Sequence, residues 1–164
     1  MATLVELDQV GAVIKLDPAL GAGQQELRVI YLSPRCETWL RDVLHTLGST
    51  WNIEEFPTEQ LDALVSIFAS GKTLTYGEQF KPLQHIKNGV WELKTADLRV
   101  IGWFPCKDCF VSVSADTADR IKQHKLYNGY IGEAVKFRDA LNLDEPKFVV
   151  GEDPNDVVSD YAYP

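Results

Sequence analysis

The sequence predicts an α/β (α+β) domain in the order strand, helix, helix, three antiparallel strands and a closing helix. Three patterns carry this expectation. Val90 to Lys94 and Leu98 to Phe104 are apolar, β-branched or aromatic runs joined by the hairpin-length Thr95-Ala96-Asp97, and Phe110 to Ser114 follows after Pro105 and the turn Cys106-Lys107-Asp108-Cys109. Upstream, two segments repeat apolar residues at helical spacing, and downstream Tyr130, Ala134, Phe137 and Leu141 do the same.

Residues 3 to 16 hold two short apolar runs, Leu4-Val5 and Val10 to Leu16, and read as a hairpin. Asp17 to Gln25, with Pro18, Gly21 and Gly23, reads as a linker. Leu27 to Leu32 is a strand by its β-favouring Val29-Ile30-Tyr31. Ser33-Pro34 supplies an N-cap followed by proline at the first helical position. Cys36, Leu40, Val43, Leu44 and Leu47 continue that helix to Gly48. Pro57 to Ser70 is a second helix, with Leu61, Leu64, Val65 and Phe68 on one face and Gly71 as its stop. Lys72 to Asn88 has no strong period. After the strands, Asp116 caps a helix through Lys125, Asn128-Gly129 interrupts it, and the last helix begins near Tyr130. From Asn142 the chain is an acidic tail, with a short strand expected at Lys147 to Val150. The organisation expected is therefore an extension over 1–26, a domain over 27–141 and a tail over 142–164.

With 45% hydrophobic and 24% charged residues the composition is that of a globular protein. No apolar run approaches the roughly 20 residues that cross a bilayer, and Met-Ala-Thr-Leu-Val-Glu lacks the pattern of a signal peptide, so a cytoplasmic protein without a membrane partner is expected. Cys36, Cys106 and Cys109 are too few for a disulfide framework, in keeping with a reducing compartment. The net charge of −8 argues against a chain that wraps nucleic acid. That acidity sits in the ends, where residues 1–26 contribute −3 and 142–164 contribute −5, while 81–141 carries a local +3.

The order of elements, with Gly89-Val90-Trp91-Glu92-Leu93-Lys94 followed by Leu98-Arg99-Val100-Ile101-Gly102-Trp103-Phe104, resembles the RelE/ParE toxin superfamily, and within it the phage-derived HigB-like toxins. Those proteins carry a Gly-Leu-Trp-Glu-Leu-Arg type strand, a Tyr-Arg-Val type strand, then a basic segment and an Ala-x-x-x-Arg helix. The matching residues are Gly89 to Lys94, Leu98 to Val100, Lys122 to Lys125, and Ala134 to Arg138. Lysine stands at 94 where arginine is usual, and Ala115 to Lys122 replaces an aromatic-plus-paired-lysine element. The resemblance spans about residues 27–141 and implies a RelE-like antiparallel sheet of about four strands packed by two N-terminal helices and a closing helix.

It also implies a toxin of a toxin–antitoxin or prophage locus, an endoribonuclease that cuts mRNA at the ribosome with no metal or other cofactor and is held by a cognate antitoxin. In that reaction a ribose 2′-hydroxyl attacks the adjacent phosphate, which needs a base, an acid and cations. The implied catalytic set is Lys94 and Arg99 as phosphate clamps with His124 and Tyr127 for proton transfer, Tyr130 being a further candidate; Lys122 and Lys125 are the RNA-binding candidates. The alternative is a non-catalytic phage or host interaction protein of the same fold that binds a protein partner.

Each residue also has an ordinary reading. Arg99 can pair with Glu92 across the hairpin, Lys122, His124 and Lys125 can be a solvated helix face, and Tyr130 can be core. Trp91 and Trp103 can stack on bases or pack in the interior. Cys106 and Cys109 have the spacing of half a zinc site or a redox pair, or are simply two cysteines in a turn, since His45, His85 and His124 lack ligand spacing. The acidic tail can remain free or fold back onto Lys94, Arg99 and Lys122.

Overall fold

A computed structural model describes residues 1–50, 54–83 and 88–164. His85 and part of the expected 72–88 connection lie outside the described residues. The core is a six-stranded mixed sheet in the order β1-β2-β7-β6-β5-β4. These strands are β1 (Ile14–Lys15), β2 (Val29–Leu32), β4 (Phe80–Pro82), β5 (Val90–Lys94), β6 (Leu98–Cys106) and β7 (Cys109–Thr117). A two-stranded parallel sheet joins β3 (Leu74–Thr75) to β8 (Tyr161–Ala162).

The expected four-stranded antiparallel sheet is corrected in two ways. The sheet has six strands, and β2 runs parallel to β7, with Val29 opposite Cys109 and Leu32 opposite Ser112. A helical segment and not a tight turn follows β2, so no local signal fixes its direction, and a long crossover makes the parallel pairing possible. The β5-β6-β7 meander is antiparallel, as the hairpin-length connections require.

Two layers cover the sheet. On one face α2 (Pro34–Asp42), α3 (Pro57–Ala69) and α6 (Pro154–Val157) pack with Trp91, Leu93, Leu98, Val100, Phe104 and Phe110. On the other, α1 (Leu4–Gln9), α4 (Ala118–His124) and α5 (Tyr127–Ala140) enclose Val90, Ile101, Trp103 and Val111. Trp91 and Trp103 are thus buried on opposite faces and serve as packing.

Local sequence explains the helix ends. The Ser33 hydroxyl accepts from the Cys36 amide at 3.0 Å, with Pro34 in the first turn. Gly71 takes φ +78° directly after α3. Thr3 and Glu6 form a reciprocal capping box, so residues 4–9 are helical and the expected N-terminal hairpin is replaced by a helix and the short β1. The helix break falls at Lys125, which is left-handed at φ 53°, and Asn128-Gly129 lies inside α5. No strand forms at Lys147 to Val150.

The acidic C-terminal segment buries Val157 and Val158 completely in the α2/α3 layer. Leu143 and Phe148 pack in the α4/α5 layer, but the acidic stretch around Val157 and Val158 lies on the opposite face from Glu92, Lys94 and Arg99, which corrects the expectation that it folds over those cations. No helix among the described residues is long and apolar enough to cross a membrane.

Candidate functional site

Strand alternation assembles the site on the α4/α5 face. Glu92 and Lys94 of β5 point the same way. Register then sets Lys81 opposite Glu92, Arg99 opposite Lys94, and Asp116 opposite Arg99. Lys122 of α4 and Tyr127, the first residue of α5, lie near this row. An open cleft of 560 Å³ lies beside the hairpin end, lined in part by Gln60, Gln79, Lys94, Thr95 and Arg99.

Glu92 is the unusual member. It is fully buried, and neither carboxylate oxygen has a formed hydrogen bond among the described residues. Its nearest cation is the Lys81 ammonium at 3.7 Å, on a side chain that is 42% exposed. Burial raises the Glu92 carboxyl above the usual carboxylate range, although Lys81, the Tyr127 hydroxyl, Arg99 and Lys94 all oppose the shift. Burial, followed by Arg99 and Lys81, lowers the Lys94 ammonium. Tyr127 is pushed up to about 12 by burial and by the nearby Glu92, with Arg99 acting against the rise.

The remaining contacts fix the frame. Arg99 Nη1 donates to the carbonyls of Thr95 at 2.7 Å and Leu98 at 2.8 Å, and Lys94 Nζ donates to Gly77 O at 3.0 Å. Arg99 therefore anchors its own hairpin, and the expected Arg99–Glu92 ion pair is not formed. Tyr130 donates to Asp116 Oδ2 at 2.6 Å, where Arg120 Nε also donates at 3.1 Å. Asp97, in the hairpin connection, accepts from Gln60 Nε2 at 2.6 Å and locks the turn to α3.

Of the residues expected from the sequence, Lys94, Arg99, Tyr127 and Lys122 come together, Lys122 being close enough to depress the Lys94 ammonium. His124 is exposed in the last turn of α4, with no hydrogen bond or ion pair to the cluster among the described residues, and Lys125 is exposed at the helix cap. Lys81 and the central position of Glu92 were missed. Glu92 alternates with Trp91 and Leu93 and so reads as solvent-facing. Only the second helical layer buries it, and the amphipathic closing helix was the signal for that layer. Among the described residues no cluster of three or more metal-ligating side chains occurs.

No protein-family model matches the sequence, and no curated protein or solved structure matches it.

Proposed function

We propose that the chain is a RelE-like endoribonuclease of the HigB type, a toxin of a toxin–antitoxin or prophage locus that cuts mRNA at the ribosome. The observation that carries this reading is the gathering of Lys81, Lys94, Arg99 and Tyr127 around the buried Glu92, with Lys122 near enough to act on Lys94, on an otherwise acidic protein. The order β2, α2, α3, then the β5-β6-β7 meander and α5 supports the fold resemblance.

The chemistry follows from accessibility. Glu92 is fully buried, so in this reading substrate does not touch it and meets the half-buried Tyr127 in its place. In this reading the Tyr127 hydroxyl closes onto the Glu92 carboxylate when substrate is seated, and the ribose 2′-hydroxyl gives its proton to the Tyr127 oxygen as Tyr127 passes its own to Glu92, so tyrosine stays neutral throughout. The 2′-oxygen attacks phosphorus, the P–O5′ bond breaks, and a 2′,3′-cyclic phosphate remains. Lys94, whose lowered affinity for its proton suits it to donate, protonates the departing 5′-oxygen. Arg99 and Lys122 offset charge on the phosphoryl oxygens. In this mechanism His124 has no proton to carry, and Lys125 contributes only to the attraction for RNA backbone. A cognate antitoxin would bind this basic face.

The second reading, a non-catalytic protein of the same fold that binds a protein partner, is favoured by one observation: Arg99 spends two donors on its own hairpin. Induced expression in bacteria, with mapping of mRNA 5′ ends, separates the two. Growth arrest with new cuts bearing 2′,3′-cyclic phosphates, lost in Tyr127→Phe and Lys94→Ala, is the expected result. Intact mRNA and normal growth with folded protein present would overturn the nuclease and leave the binding protein.

A further inference from the structure

At the far end of β6 from Arg99, Cys106 and Cys109 stand directly opposite each other as the pair that closes the Lys107-Asp108 turn. Opposed residues of an antiparallel pair are about 4.5–5.5 Å apart at Cα, inside the roughly 4.4–6.8 Å that a disulfide spans. Both are free thiols, but their settings differ: Cys106 is exposed, whereas Cys109 is buried beside Val111 and Tyr31. The third cysteine, Cys36, is buried with Sγ 3.0 Å from Ser112 Oγ, and burial pushes its thiol up to about 11, so it remains inert.

The turn is clamped from outside the hairpin. The Asp108 amide donates to Val157 O at 2.8 Å, and its Oδ1 accepts from the Ser159 amide at 2.9 Å and from Arg28 Nε at 3.3 Å. The cysteine backbones are therefore held in opposition before any bond forms.

We propose that Cys106 and Cys109 are a redox-active dithiol, converted reversibly to an intramolecular disulfide by low-molecular-weight disulfides of the glutathione type. Cys106 is the attacking sulfur. It is the exposed one of the two, and its interaction with Cys109 lowers its thiol from the ordinary value, while that same contact, with burial, raises Cys109. The Cys106 thiolate attacks the external disulfide, breaking its S–S bond, forming a mixed disulfide and expelling one thiolate. That step consumes the negative charge that had kept Cys109 protonated. Cys109 then loses its proton and attacks the Cys106 sulfur, closing the Cys106–Cys109 bond and releasing the second small thiol. The dithiol loses two electrons and two protons, and the external disulfide becomes two thiols.

The test equilibrates the purified full-length chain with defined ratios of reduced and oxidised glutathione, alkylates the remaining thiols and maps them by mass spectrometry. The expected result is a monomer lighter by two hydrogens, with Cys106 and Cys109 linked and Cys36 alkylated only on unfolding. Cys109→Ser should accumulate the Cys106–glutathione mixed disulfide, and Cys106→Ser should lose at least tenfold in the rate of glutathione capture while keeping native circular dichroism. Failure to form the internal bond at any ratio, capture at Cys109 first, or stoichiometric zinc retained on the two sulfurs of the purified protein would overturn the proposal.

Discussion

Glu92→Gln keeps the side-chain volume of a fully buried residue and removes its charge. Because burial raises the carboxyl in the folded chain, folded protein holds that proton at pH values where unfolded protein has lost it. The stability associated with this proton is complete below the unfolded glutamate value of about 4.3 and is lost as pH rises through the folded value. Glutamine carries no such penalty. A buried polar group without hydrogen bonds costs on the order of 1–3 kcal/mol and a charged one more, of which Lys81, 42% exposed at 3.7 Å, recovers part. Glu92→Gln should therefore be more stable than wild type by about 1–3 kcal/mol at pH 8 and equal to it near pH 4. With an urea slope of about 2 kcal/mol per molar, the pH 8 midpoints should differ by about 0.5–1.5 M. The assay is urea unfolding by circular dichroism across that pH range. Parallel pH profiles, or a variant weaker at pH 8, would refute the burial penalty on the Glu92 carboxylate. If the chain is the nuclease proposed above, the same variant should lose its cleavage of RNA, so that added stability and lost activity arrive together.

Three further outcomes follow from the packing. Arg28 is fully buried and donates to the carbonyls of Phe68, Lys72 and Asp160 at 3.0, 2.9 and 3.0 Å, so Arg28→Met should cost about 3–5 kcal/mol in urea unfolding, and a loss under 1 kcal/mol would dismiss its bolting role. Gly102→Ala places a Cβ 1.8 Å from Val111 O, a clash with backbone at the β6–β7 irregularity that no side-chain motion relieves; destabilisation of about 1–3 kcal/mol or more is expected, read as a fall in melting temperature. Truncation after Gly151 removes the fully buried Val157 and Val158 and should cost about 3–6 kcal/mol by urea unfolding. RNA affinity of the folded truncated fraction, read by filter binding, should not rise, because this segment covers the other face of the sheet; a tenfold gain would mean that it does occlude the cations.

What was legible in the sequence was what local chemistry dictates. Ser33-Pro34, Gly71 and the Thr95-Ala96-Asp97 connection fixed element ends within a residue or two, because a cap, a left-handed stop and a tight connection act over a few residues. Features set by distant partners were harder to read. β4 contains Pro82 and sits at the sheet edge, where a missing amide donor is tolerated, and so the segment lacked an ordinary strand pattern. Leu4-Val5 looked like strand because its helix depends on the Thr3–Glu6 capping box and on Leu7 packing beneath it. Asn128-Gly129 looked like a break, yet the helix accepts it in the first turn, one step after the left-handed Lys125 has already reversed the chain.

The candidate site shows why the same limit applies to function. Lys94 and Arg99 were legible because both flank one hairpin and their register follows from its length. Glu92 was visible as a residue but not as a buried acid, since alternation assigns a face without saying whether anything covers it. The cover comes from α5, whose Ile131 and Ala134 belong to the second core and whose first turn delivers Tyr127. Burial is what raises Glu92, and Glu92 in turn helps raise Tyr127. The cluster is thus a product of two layers closing on one strand. A change that loosens α5 without touching any charge, such as Ala134→Gly at a position 1% exposed, should lower the Glu92 carboxyl toward its ordinary range by admitting water. In that variant the pH dependence of stability should flatten as it does in Glu92→Gln, and an unchanged slope would mean that the acid owes its state to something other than the helical cover.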